Sequence, residues 1–228
     1  MTADSNRRFN RSEAPLGALQ RFARSAPPRA TLEHCDLCNE AVPSEHRHLL
    51  DLTNRSLLCA CRACALLFDK DGAGSGKYLL IPQRVLALPD FQVSDGEWEE
   101  LMIPVNMAFL YRSASEKPVA AFYPGPAGAT ESMLDLTQWN TLADNNPILE
   151  TMAHDVEALL INRVRGAREY YIVPIDSCYQ LVGLIRISWR GLSGGEEVWK
   201  KILAFFTELR ARAKTPETSI ARRGASDA

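Results

Sequence analysis

Five of the chain's six cysteines lie between His34 and Asp69, in HCDLCNEAVPSEHRHLLDLTNRSLLCACRACALLFD. No other feature restricts the fold as strongly. The N-terminus, MTADSNRRFNRSEAPLG, lacks the apolar run of a secretory signal, so a cytoplasmic protein with reduced thiols is expected. Clustered thiols in that compartment point to a metal before disulfides. Cys35 and Cys38 form one C-x2-C pair and Cys61 and Cys64 a second, with twenty-two residues between them. A C-x2-C bend brings its two sulfurs together and lets nearby amide N–H groups point at them. Those donors relieve the charge that four thiolates leave on a divalent ion. Two such bends joined by a hairpin place four sulfurs tetrahedrally about 2.3 Å from zinc. The connecting HLLDL and RSLLC read as short strands around TNRS, whose Asn54 suits a tight turn.

This spacing specifies a metal more firmly than it specifies which one, since rubredoxin-type iron uses the same four sulfurs. Rubredoxin-like bends usually follow their cysteines with small residues, often glycine, and Asn39 and Ala65 stand there instead. Zinc is therefore expected, with iron as the alternative and an iron–sulfur cluster as a third arrangement. Cys59 precedes Cys61 by two residues and shares its face if the strand persists. It is a candidate additional or alternative ligand, or else a small buried apolar residue. His34, His46 and His48 are expected beside the shell or at the surface, because four cysteines already complete it. Cys178 reads as core. A closed four-sulfur shell has no open position for substrate, and its ion supplies folding free energy to a short segment.

The chain of 228 residues divides into a flexible basic arm over 1–30, a four-cysteine module over 31–80, an α+β domain over 81–213 and a disordered tail over 214–228. Six arginines oppose Asp4 and Glu13 in the arm, and five basic side chains oppose Glu217 and Asp227 in residues 210–228. The body between is acidic, and because the basic arms hold few aromatics and no motif, solvated termini rather than a nucleic-acid contact are expected. No apolar run approaches the roughly 18 residues of a membrane span. The fold class expected is α+β: a small zinc-ribbon/rubredoxin-like metal module, then a mixed α/β domain ending in an amphipathic helix.

Within that domain, GEWEELMIP reads as a short helix, and NMAFLYRS, PVAAFYPGPAG and REYYIVPI as strands. LDLTQWNTLADNNP and PILETMAHDVEALLINRV read as helices. The second puts Ile148, Met152, Val156, Leu159 and Leu160 on one face and Glu150, Asp155 and Glu157 away from it. YQLVGLIRISW is ambiguous: its β-branched residues lean toward strand, while its apolar spacing permits a helix. Pro124, Gly125, Pro126 and Gly128 describe a rigid bend, with Thr130 and Glu131 able to start a helix. GGEEVWKKILAFFTELRARAK places Val198, Ile202, Phe205, Phe206 and Leu209 on one helical stripe, begun by Ser193, Gly194 or Gly195.

Other chemistry is poorly supported. GAGSGK lacks the spacing of a phosphate loop and is followed by Tyr78. No Ser-His-Asp set, carboxylate pair or dinucleotide fingerprint is present, Arg186 and Arg190 read as surface charges, and His154 as a surface histidine.

HCDLC, EHRHLLDL, LLCACRACALLF, FYPGPAGATES, VEALLINR, YYIVPIDSCYQLVGLIR and WRGLSGGEEVW together carry a resemblance over roughly residues 31–213. The chain resembles a family of uncharacterised bacterial proteins found beside the structural genes of high-affinity, oxygen-tolerant nickel–iron uptake hydrogenases of the actinobacterial type. The resemblance implies that Cys35, Cys38, Cys59, Cys61 and Cys64 belong together, without saying which four bind, and supplies no catalytic residues. The expectation is a non-catalytic metal-binding accessory protein that aids assembly or maturation of such a hydrogenase, with its subunits as partners. Phe122, Tyr123 and Trp189 are candidate contacts. The alternative is a rubredoxin-like iron protein passing electrons from that hydrogenase.

Overall fold

Leu49 and Leu50 are neighbours in sequence, both fully buried, and belong to different cores. They sit on β1 (Arg47–Asp51), which pairs antiparallel with β2 (Ser56–Ala60) on one side and β3 (Tyr78–Leu80) on the other. The turn between β1 and β2 is held by Asn54, whose side-chain oxygen accepts the Ser56 N–H at 3.0 Å and hydroxyl at 2.7 Å. Successive strand residues face opposite ways. Leu49 therefore packs with Ala60, Ala65, Phe68 and Tyr78 inside the cysteine module, while Leu50 joins Ile81, Val85, Phe109 and Leu160 in the main core. The module shares its second face with the rest of the molecule.

The computed structural model describes residues 32–69, 73–74, 76–114, 119–132 and 136–216. The basic arm, most of the C-terminal tail and part of the GAGSGK stretch lie outside the described residues.

The main sheet has six antiparallel strands in the order β4-β9-β8-β5-β6-β7. They are β4 (Leu86–Ala87), β5 (Met107–Arg112), β6 (Val119–Gly125), β7 (Gly128–Glu131), β8 (Glu157–Asn162) and β9 (Glu169–Pro174). One face presents Phe109, Tyr111, Ala158, Leu160, Tyr171 and Val173; the other presents Ala108, Leu110, Leu159, Ile161, Tyr170 and Ile172. Both faces are covered, so β8 is buried along its whole length. That burial corrects the helix expected over 147–164. A strand apolar on both faces loses its alternation, and its continuous run cannot be told from a helix by period alone. Pro147–Thr151 is a short 3-10 helix, and Glu157–Asn162 is strand. Asp155 and Glu157, expected on a solvent side, are buried.

Four helices complete the domain. α2 (Asp95–Glu100) opens on a capping box, in which Ser94 and Glu97 satisfy each other's backbone N–H, and its Trp98 is buried against the second sheet face. α3 (Leu136–Asn145) adds Trp139 and Leu142 to that face. α4 (Ile175–Ser188) follows β9 with no intervening loop and buries Cys178, Leu181, Val182 and Ile185 on the first face. It settles the ambiguous YQLVGLIRISW as helix, because burial at three- and four-residue spacing outweighs the β-branched content that leaned toward strand. α5 (Gly195–Arg212) packs beside α4 and buries the five residues of its expected stripe. Its first turn starts at Gly194, whose φ of 86° and 2.8 Å approach to Val198 at the Cβ position leave room for no other residue. Thr130 and Glu131 start no helix; they belong to β7, paired with Tyr123 and Phe122 of β6. Phe122 stacks on Phe109 and Tyr111, and Phe122, Tyr123 and Trp189 are all half-buried.

Candidate metal centre

The first cysteine pair sits in a bend before β1. Cys35 donates its N–H to the Glu40 carbonyl at 2.8 Å, and Asn39 donates to the Cys35 carbonyl at 2.8 Å. Asn39 takes a φ of 64°, a left-handed conformation that asparagine tolerates better than other side chains do. Asn39 thus does the backbone work that glycine usually does at this position. Asp36 ties the bend to β2: it donates its N–H to the Cys59 carbonyl at 2.9 Å and accepts the Cys59 N–H on Oδ2 at 2.6 Å.

The second pair is built differently from the first. β2 ends at Ala60, and Cys61 becomes the N-cap of α1 (Arg62–Leu67), its sulfur accepting the Cys64 N–H at 3.4 Å. A helix start, rather than a second hairpin bend, therefore carries Cys61 and Cys64. Helix N-termini present free N–H groups and a positive dipole end, which suits thiolates.

These two bends bring Cys35, Cys38, Cys61 and Cys64 together, with all four sulfurs within 4.8 Å of one another. Cys38 and Cys61 sulfurs are 3.7 Å apart, close to the about 3.8 Å edge of a tetrahedron with 2.3 Å metal–sulfur bonds. Cys35 and Cys64 are buried with Val42, Leu37 and Phe68 around them, Cys61 is half-buried and Cys38 is exposed. Burial pushes the Cys35 thiol up, but backbone N–H groups of Cys61, Leu37 and Cys38 outweigh it and hold the thiol at about 6. Burial and the neighbouring thiols push Cys64 the other way, well above its ordinary value. The donor set fits a tetrahedral thiophilic ion, and these residues could hold zinc or iron.

Cys59 lies apart from this set. The chain leaves the strand at Cys61, and the Cys59 thiol groups with His46 and His48 instead. Burial raises it, as do the charges of Asp36 and Glu33. His34 is exposed and pairs in a bridge with Ala41. Cys178 is wholly buried in the main core, and burial raises its thiol strongly.

Among the described residues, two long-range pairs join the module to the sheet domain. His48 Nδ1 lies 2.8 Å from Asp176 Oδ2 in the first turn of α4, and Arg55 in the β1–β2 turn donates to Asp155 at 2.9 Å. Neither was visible in sequence, since partners this distant leave no local pattern; the alternation of His46 and His48 was the only trace. A model for a family of unknown function (DUF5947) matches residues 34–213. No curated protein and no solved structure matches the chain.

Proposed function

From a chain that belongs to this family of unknown function, we propose a non-catalytic metal-binding accessory protein that aids assembly or maturation of a nickel–iron hydrogenase. The observation behind the metal-binding part is the convergence of four cysteine sulfurs within 4.8 Å from two separate bends. Four thiolates close a zinc shell and leave no site for substrate, so the ion acts on structure. The module would then work as zinc-ribbon-like modules do, holding a shaped surface for a partner. That the partner is a hydrogenase subunit rests on the sequence resemblance alone.

The test is a pair of measurements. Protein isolated without oxygen should carry zinc at the four-cysteine centre and be colourless. Cells carrying Cys38→Ser in this chain should accumulate immature hydrogenase while its structural subunits are still made. Normal hydrogenase maturation in the absence of the chain would sink the accessory reading.

A second reading is favoured by one observation: Cys38 is solvent-exposed, so an electron could leave an iron centre at that sulfur. A rubredoxin-like protein would be red as isolated and bleached by dithionite. Colourless, zinc-loaded protein removes that reading.

A further inference from the structure

We propose a second metal site, made by His46, His48 and Cys59, which takes a divalent d-block cation such as zinc and keeps one coordination position open. One ligand atom from each of these residues lies within 4.8 Å of the others. The strand geometry produces the grouping. His48 and Cys59 are directly opposed across β1 and β2, and His46, two residues before His48, falls on the same side.

Both imidazoles are set for binding. His46 Nδ1 lies 2.8 Å from the Pro43 carbonyl, which can only accept, so the proton is on Nδ1 and the lone pair on Nε2. That Nε2 is buried and, among the described residues, has no hydrogen-bond partner, on a side chain only 5% exposed. A buried, unpartnered acceptor calls for a missing partner, and a cation supplies one. His48 Nδ1 lies 2.8 Å from the Asp176 carboxylate, which places its lone pair on Nε2 as well. The two rings stand 4.7 Å apart edge to face. Cys59 adds a sulfur, which binds as thiolate after releasing its proton to water.

A Cys59–His48–Asp176 nucleophile is the competing reading of the same atoms. It fits less well. Asp36 Oδ2 lies 2.6 Å from the Cys59 N–H and Glu33 Oε2 3.7 Å from His46 Nδ1, and such carboxylates oppose a free thiolate but favour a cation. It also leaves the His46 lone pair unexplained. Three protein ligands leave a coordination position for water or another exogenous ligand, unlike the closed four-sulfur shell.

Anaerobic titration of the full metal-free chain with Co(II) tests the site independently of the four-cysteine centre. Wild type should take up two ions per chain. Cys59→Ala and His48→Ala should each take up one and keep the intense all-thiolate absorption. Asp176→Asn should still take up two, the second about 10- to 100-fold more weakly. A wild type that stops at one ion with an all-thiolate spectrum overturns the proposal. So does two-ion uptake by Cys59→Ala, or alkylation of Cys59 by iodoacetamide at the same rate with and without zinc.

Discussion

Asp155 accepts a hydrogen bond from Arg55 at 2.9 Å, across one hundred residues of sequence, and so pins the β1–β2 turn to the loop ahead of β8. Asp155 is buried; its carboxylate also accepts the Ser113 hydroxyl at 2.8 Å and the Ala114 N–H at 3.2 Å, while Arg55 lies over the Tyr111 ring. The cysteine module is thereby fixed on the sheet domain by charge as well as by Leu50.

Arg55→Ala should cost about 2 kcal/mol, the range for a hydrogen bond to a charged group, because Asp155 keeps its other two donors. Denaturant unfolding measures the loss. A double-mutant cycle with Asp155→Asn should show coupling of about 0.5 kcal/mol or more; strict additivity would mean that the pair is incidental.

Arg84 makes two bonds to Glu157, at 2.5 and 2.7 Å, and one to the Thr151 carbonyl at 2.6 Å. Glu157 is 1% exposed. Arg84→Ala strands a buried carboxylate and should cost about 3–5 kcal/mol, whereas Arg84→Ala with Glu157→Gln should recover part of it. Equal stability of the single and double variants would contradict the ion-pair account.

Cys35→Ser and Cys64→Ser should each lose the metal of the four-sulfur centre together with soluble yield, since that ion helps fold the module. Cys178→Ala should retain full metal content, and Cys178 should resist alkylation in the native state. Metal analysis of the purified variants decides it. Full occupancy of the centre in Cys35→Ser protein would show that the wrong four sulfurs had been chosen.

The metal-free protein should show a stability maximum at alkaline pH. Cys35 is held at about 6 against an ordinary 9.0, so between those values the unfolded chain binds more protons than the native one. Stability from this thiol is complete above pH 9 and is lost as pH falls through 6. Cys64 has the opposite sign. Its thiol is raised, so above pH 9 the unfolded chain releases a proton that the native state keeps, and stability declines. Urea midpoints of chelator-treated protein across that range give the curve; a midpoint independent of pH between 6 and 9 would refute it.

Much of the candidate centre was readable because its chemistry is local. Cys35 and Cys38, and Cys61 and Cys64, are each separated by two residues, which marks both pairs for one centre although the first forms a bend and the second a helix start, and HLLDLTNRSLLC carries its own turn residues. The same holds for α5, whose period of buried side chains is unmistakable, and for α2, whose cap lies within four residues. Local interactions leave local patterns.

β8, α4 and the placement of Cys59 were decided elsewhere. Leu159 and Leu160 look helical until a layer of side chains covers each face of the sheet and makes an unbroken apolar run suit a strand. Val182 and Ile185 favour a strand by propensity, yet burial at helical spacing against β6, β8 and β9 overrides it. Cys59 parts from Cys61 because the backbone turns into a helix between them, and it meets His46 and His48 only through cross-strand register. Sequence by itself settled what depends on neighbours within a turn or two; pairings across a hundred residues, such as His48 with Asp176, come into being when the chain closes on itself, because their energy depends on distance in space and hardly at all on distance along the chain.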